Sequence, residues 1–362
     1  MSPDTLRAAR PRLREGVRLG PAVRSGPTLV HSVKEPVSGR YFQIGPSEFF
    51  IMARLDGVTT LAEIDRQYAV EFRRRLTDDH WAHILGTLGR RGLLSGSEPP
   101  QAPAPEQRRR SLLYVRLPVV APERWLGRLE PRLRPLFSPY AVVPLLVAVV
   151  GMEIAVLARA GDLWGATTRL GEGRPLVLAA VLLGVWLTVA VHEVAHGLTG
   201  THFGGTATEI GVVWRFPMLA PYCRVNDIVF MARRHRVYVA FSGMFAGLVV
   251  LLPVAIAWPL LGGTAADAAG SALLLGSLSG LINLLPFFRL DGYAMLNHAL
   301  GMRDLQGESL AYVRGLLRRD RALPPYPRGQ TRIYVIYVTC AALACVAWVC
   351  WIVLWTVRSF GH

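Results

Sequence analysis

The stretch LVLAAVLLGVWLTVAVHEVAHGL, residues 176–198, is an apolar run that ends in a cluster of ionisable side chains. A helix needs roughly 20 predominantly apolar residues to cross a bilayer, and this run is long enough. Ionisable side chains inside a membrane helix are costly and mark a functional site by default. The run therefore predicts a membrane helix with a functional site in it.

The HEVAH motif within this run has the spacing of a metal site. His192 and His196 are four residues apart, so on a helix they share one face, about 6 Å apart, and both imidazoles can reach one ion. Glu193 between them is placed to polarise a water molecule at the metal. The alternative is a structural role in which these side chains only hold helices together. Ser or Thr would do that at lower cost, so the pattern favours a metal.

A third protein ligand is needed, because a catalytic zinc ion usually has three, with water in the fourth position. Asp291 fits this role, since it follows a later apolar run in the segment NLLPFFRLDG, residues 283–292. Pro286 would break the helix before it, and Gly292 would let the backbone turn beside the metal. Asp227 is an alternative ligand, but no turn-forming glycine follows it, so a polar loop residue is the better interpretation.

Other ionisable residues near these motifs are weaker candidates. Glu153 lies in an apolar run but has no partner at ligand spacing. His202 follows the HEVAH motif at the start of a loop, and we expect a solvated surface histidine there. His298 is expected to face neighbouring helices, with a hydrogen bond to a metal ligand as the alternative.

Five apolar runs are long enough to span a bilayer, namely residues 140–157, 175–198, 237–261, 268–288 and 333–357. The segments 201–236 and 289–332 between them are rich in arginine, and the positive-inside rule places such loops in the cytoplasm. With five alternating spans the N-terminal domain is then cytoplasmic as well. Both site motifs fall near the cytoplasmic ends of spans that run in the same direction. The predicted fold is a multi-span α-helical membrane protein of the cell membrane.

Composition agrees with a membrane protein. The 362-residue chain is 52% hydrophobic and has a formal net charge of +15, with Lys34 as its one lysine. A basic chain can bind nucleic acid, but arginines that cluster beside apolar spans are typical of cytoplasmic loops. No basic helix has a DNA-reading pattern, so we expect the lipid bilayer as a partner and no nucleic acid. The four cysteines have the spacing of neither a disulfide framework nor a zinc knuckle.

The polar N-terminal part predicts a small winged-helix α+β domain over residues 28–97. Two short apolar segments within 28–44 flank PVSG and predict a β-hairpin. Three helices follow, and Leu93 and Leu94 could begin a wing strand. The predicted helices are residues 47–55, 60–70 with Thr60 and Glu63 as a capping box, and 77–91.

The remaining segments complete the predicted domain organisation. Residues 1–27 are rich in Arg, Pro and Gly and predict a disordered basic arm. Residues 98–136 predict a linker followed by a segment that lies along the membrane surface. Residues 137–362 form the predicted membrane-embedded domain.

The paired membrane motifs resemble the site-2 protease family of intramembrane zinc metalloproteases. HExxH in one span with NxxPxxxLDG in a later one is the basis of the resemblance, which covers roughly residues 140–300. Met244, in Ser242-Gly243-Met244, stands where the family often has proline, a modest departure. The resemblance implies Zn²⁺ bound by His192, His196 and Asp291, with Glu193 as general base and Asn283 holding the substrate backbone or the developing oxyanion.

The N-terminal domain resembles a PqqD-like peptide-recognition domain, a module that binds leader segments of ribosomally made peptides. The similarity lies in the hairpin and in the segments FQIGPS at 42–47, TLAEI at 60–64 and RRGLL at 90–94. An ordinary winged helix that binds DNA or a partner protein is the alternative. The exposed edge of a small sheet favours addition of a peptide strand.

Together the two resemblances imply an intramembrane zinc endopeptidase. Its peptide or protein substrate would be bound by residues 28–97 and cleaved near the cytoplasmic membrane face, as in leader removal or maturation of a ribosomally synthesised modified peptide. One alternative is regulated intramembrane proteolysis of a membrane-anchored regulator. Another is a non-enzymatic, peptide-binding membrane scaffold.

Overall fold

The computed structural model describes residues 3–98, 114–215, 218–319 and 324–360. Contacts divide the chain into two compact units, one made of residues 1–107 with 301–362 and the other of residues 108–300. The sequence instead groups all of 137–362 in one domain. The last helices join the first unit because their polar side chains bond to N-terminal backbone groups. Gln330 Nε2 donates to the Gly26 carbonyl at 2.6 Å, and the Gly26 N–H donates to Glu308 Oε1 at 2.6 Å.

The N-terminal part of the first unit has a small sheet followed by three helices. Its elements are α1 (Pro3–Ala8), β1 (Arg18–Leu19), β2 (Val23–Ser25), β3 (Thr28–Lys34), β4 (Tyr41–Ile44), α2 (Pro46–Met52), α3 (Leu61–Phe72) and α4 (Asp78–Arg90). Strand β3 pairs antiparallel with β1, β2 and β4. The predicted hairpin is confirmed, with Lys34 opposite Tyr41 at its closed end. The Thr60 side chain accepts from the Glu63 N–H and begins α3, as the capping pattern predicts.

The N-terminal arm differs from the sequence prediction. Residues 1–27 are predicted to be disordered, yet the described part forms α1, β1 and β2. Leu6, Leu13 and Leu19 pack against the core around the fully buried Trp81, so apolar side chains between the arginines anchor the arm. The predicted wing strand is reduced to an isolated bridge between Leu13 and Leu94.

The C-terminal part of the first unit consists of α12 (Leu305–Leu317) and α13 (Arg328–Phe360). Tyr334 is buried at their junction, where its hydroxyl donates to Glu308 Oε2 at 2.5 Å. Helix α13 is also the last of five helices, among the described residues, that are long and apolar enough to cross a membrane. The structure thus contains five candidate spans, the number that the sequence predicts, and this is consistent with a multi-span helical membrane protein.

The second unit contains the other four candidate spans and a three-stranded sheet. Its elements are β5 (Tyr114–Val120), α5 (Glu123–Leu133), α6 (Pro139–Ala158), α7 (Ala160–Gly173), α8 (Pro175–His202), β6 (Thr206–Arg215), β7 (Met218–Asn226), α9 (Arg233–Ala257), α10 (Gly263–Leu284) and α11 (Asp291–Leu300). The spans are α6, α8, α9 with the short turn after it, and α10.

The sheet of the second unit corrects two sequence predictions. The sequence predicts a loop over residues 201–236, but most of them form the antiparallel hairpin β6–β7. It also predicts a linker and a surface segment over residues 98–136. Residues 99–113 lie outside the described residues, and β5 pairs antiparallel with β6. β5 and β6 are about 100 residues apart in the chain, so their pairing leaves no local pattern in the sequence.

Helix α9 is the element on which the two site helices converge, since it packs against both α8 and α11. It also packs closely on α10, because a Cβ at Gly276 or Gly280 would lie within 2.7 Å of Leu251 or Leu248. Small residues of this kind let membrane helices approach closely. Helix α9, which packs on α10 as well, therefore holds α8 and the start of α11 at a fixed separation.

Candidate metal centre

Three side chains from α8 and α11 converge on one point. His192 Nε2 lies 2.8 Å from Asp291 Oδ2, His196 Nε2 lies 3.4 Å from the same oxygen, and the two imidazole nitrogens are 3.0 Å apart. The three ligand atoms lie within 4.8 Å of one another, a separation that one metal ion can bridge. The structure therefore brings together the predicted ligand set His192, His196 and Asp291.

The Asp291 carboxylate is oriented for a metal rather than for a hydrogen bond. Its Oδ2 atom is buried and makes no hydrogen bond, although both imidazoles are close. Burial by itself would raise the pKa of Asp291, but the neighbouring histidines outweigh it and hold that pKa below its usual range. An ionised oxygen without a hydrogen donor, facing two imidazole nitrogens, fits a divalent cation.

A backbone carbonyl of α9 fixes the His196 ring. The Val239 carbonyl accepts a hydrogen bond from His196 Nδ1 at 2.6 Å. The proton therefore lies on Nδ1, and the Nε2 lone pair faces the metal position. This partner is a main-chain atom, so no side-chain pattern in the sequence predicts it.

The general-base candidate is positioned by the hairpin. The Cys223 N–H in β7 donates to Glu193 Oε2 at 2.7 Å. Burial and the nearby Glu193 raise the pKa of the Cys223 thiol to about 12, so the thiol stays protonated near pH 7. The Cys223 sulfur is not in the ligand group, and the backbone N–H makes the contact with Glu193.

Two glycines are required by close approach to site atoms. A Cβ at Gly243 would lie 2.3 Å from His196 Nε2 and 2.6 Å from His192 Nε2. A Cβ at Gly292 would lie 2.0 Å from the Leu284 carbonyl oxygen. Gly292 does not have a positive φ. The backbone approach therefore accounts for glycine at that position, in place of the turn that the sequence suggested.

A cavity of about 310 Å³ opens beside the metal position. His196 and Asp291 line it together with Arg236 and His298. Burial, with Arg236 nearby, lowers the pKa of His298 to about 4. His298 is therefore neutral near pH 7. From the sequence alone, Arg236 is only one of the arginines in the segment 201–236.

Three other residues that the sequence singled out are not in the metal-ligand group. Asn283 donates to the Ser279 carbonyl at 3.1 Å and does not line this cavity. His202 is not a solvated histidine, since it bonds to Glu130 at 2.7 Å and stacks on Phe137. Asp227 is a buried residue in a left-handed turn outside the ligand group.

Comparison with known proteins returned no matching family model, no matching curated protein and no matching solved structure.

Proposed function

We propose that this protein is an intramembrane zinc endopeptidase. The proposal is supported by one observation above all: His192, His196 and Asp291 converge within metal-ligand reach, with Glu193 held beside them. Two imidazoles and a carboxylate are a ligand set that catalytic zinc sites use. A bound Zn²⁺ would supply Lewis-acid polarisation of the scissile carbonyl and of an attacking water.

Glu193 would move the proton in this reaction. The Cys223 N–H holds its Oε2 atom, which leaves Oε1 to take a proton from the attacking water and pass it to the leaving amine. The hydrogen bond also fixes the carboxylate orientation, and a positioned general base contributes typically about 10²–10⁴-fold to the rate.

The membrane setting supports cleavage near one face of the bilayer. The motifs lie at the C-terminal end of α8 and just after α10. Arginine-rich segments follow both, so the positive-inside rule favours the cytoplasmic face of the cell membrane.

Residues 28–97 would recruit the substrate. Among the described strands, β4 pairs only with β3. We infer that a peptide strand would add at its other edge, a common mode of peptide recognition. This favours leader removal or maturation of a ribosomally synthesised modified peptide as the setting.

The experiment that tests this function compares wild type with Glu193→Gln. Each purified, zinc-loaded protein is incubated in detergent with a proteome-derived peptide mixture, and new termini are identified by mass spectrometry. We expect new termini with the wild type that chelation abolishes and added zinc restores. The variant should bind zinc equally and produce none. Equal cleavage by both proteins would refute the assignment.

A further inference from the structure

Arg236 is a buried cation with no carboxylate partner among the described residues. It lies on α9 and is only 4% exposed. Its Nε atom makes no hydrogen bond, and no described carboxylate lies within ion-pair distance of its guanidinium. A buried charge is costly unless it is paired. A charged side chain in this position therefore points to a ligand that pairs with it.

Arg236 faces the same cavity as two metal ligands. His196, Asp291 and Arg236 all line the cavity of about 310 Å³. Arg236 is also one helical turn before Val239, whose carbonyl fixes the His196 ring. A group bound by Arg236 would thus sit beside the bond that the metal centre acts on.

The charge balance of the site favours an anion. With a divalent cation bound, the carboxylates of Asp291 and Glu193 would offset its charge, and Arg236 would add one positive charge without a counterion. His298, which also lines the cavity, adds none near pH 7. Arg224, another lining residue, has Glu209 as a partner at 4.0 Å.

We infer that this cavity is a subsite for a carboxylate of the peptide substrate, bound by Arg236. The planar guanidinium matches a carboxylate in bidentate geometry, better than it matches a neutral amide. The volume suits one side chain or one chain end. The carboxylate can come from an Asp or Glu side chain or from the peptide's C-terminus. This inference rests on the proposed peptide hydrolysis for its ligand class.

The test measures binding rather than turnover. The probes are peptides of equal length that carry a hydroxamate on an N-terminal succinyl group and contain either Asp or Asn, each with a free or an amidated C-terminus. They are titrated against the zinc-loaded full-length protein in detergent, in wild type and in Arg236→Gln, Arg236→Lys and Arg234→Gln. Arg234 is the matched control, because it is an exposed arginine on the same helix.

We expect wild type to bind one carboxylate form at least about 10-fold more tightly than its neutral match. A preference for Asp over Asn assigns the side chain, and a preference for the free over the amidated end assigns the C-terminus. In Arg236→Gln the ratio of carboxylate-probe affinity to neutral-probe affinity should fall below about 2-fold, with the neutral probe bound as in wild type. Arg236→Lys should retain part of this ratio. Arg234→Gln should leave it unchanged.

Equal binding of all four probes by wild type would overturn the inference, and this comparison needs no variant to fold. An undiminished ratio in Arg236→Gln would overturn it as well. The titrations are repeated in Glu193→Gln to separate binding from hydrolysis. Carboxylate preference without any peptide cleavage would refute the proposed function alone, and cleavage without preference would refute the subsite alone.

Discussion

The backbone N–H of Cys223 lies 2.7 Å from Glu193 Oε2 and joins the β6–β7 hairpin to the helix that holds both histidines. Strand β7 is an edge strand of its sheet among the described strands. The Cys223 N–H therefore has a side-chain carboxylate as its partner. The hairpin thus has a direct role at the site.

Removal of this N–H should slow catalysis without loss of metal. Cys223→Pro deletes the donor at an edge-strand position where proline is tolerated. A hydrogen bond to a charged group is worth about 1.5–3 kcal/mol, so we expect roughly a 10- to 100-fold lower rate. Cys223→Ala keeps the N–H and should stay near the wild-type rate. A Cys223→Ala variant as slow as Cys223→Pro would show that the side chain matters instead.

A side chain at position 243 should prevent metal binding. The Cβ of Gly243→Ala would lie 2.3 Å from His196 Nε2 and 2.6 Å from His192 Nε2. Gly247, one turn further along α9, has no atom within 4 Å of such a Cβ, so Gly247→Ala is the control. We expect zinc per chain to fall to below about a tenth of wild type in the first variant and to remain unchanged in the second. Stoichiometric zinc in Gly243→Ala would contradict the site geometry.

We expect the buried carboxyl group of Glu153 to lower the stability of the second unit. Both of its carboxylate oxygens are buried without a hydrogen-bond partner, next to an apolar cavity of about 550 Å³ between α6, α9 and α10. Glu153→Leu replaces this unpaired carboxyl group with an apolar side chain, and we expect a gain of roughly 1–3 kcal/mol, seen as a higher thermal unfolding midpoint in detergent. Glu172→Leu, at an exposed position, should leave the midpoint unchanged. A lower midpoint in Glu153→Leu would contradict this prediction.

We expect His298 to lower the stability of the folded protein at acid pH. Its pKa is lowered to about 4 in the folded protein. The unfolded chain, with a pKa near 6.5, therefore binds more protons between these values. Stability should rise with pH across this window and fall by roughly 2–3 kcal/mol as pH drops from 6.5 to 4. The unfolding midpoint of His298→Asn should vary less with pH over that range than that of wild type. Identical profiles would exclude this contribution.

The sequence predicts those parts of the fold that rest on local patterns. The spans follow from uninterrupted apolar runs, and the β3–β4 hairpin follows from two short apolar segments around PVSG. His192 and His196 follow from helical spacing, and Asp291 follows from the need for a third ligand in a later span. Each of these signals lies within a short window of the chain.

Non-local structure could not be predicted in the same way. The pairing of β5 with β6 joins segments about 100 residues apart, and the N-terminal arm is folded by contacts with Trp81 and its neighbours. The partners of His196 and Glu193 are main-chain atoms of Val239 and Cys223. Every residue has such atoms, so the sequence contains no signal for them.

The metal content of purified variants tests the central claim most directly. Wild type, Asp291→Ala and Glu193→Gln are loaded with zinc and washed in the same way. Zinc per chain is then measured by inductively coupled plasma mass spectrometry. We expect about one zinc ion per chain in wild type and in Glu193→Gln, and less than about a tenth in Asp291→Ala. Stoichiometric zinc in Asp291→Ala, or no zinc in wild type, would contradict a centre built from His192, His196 and Asp291.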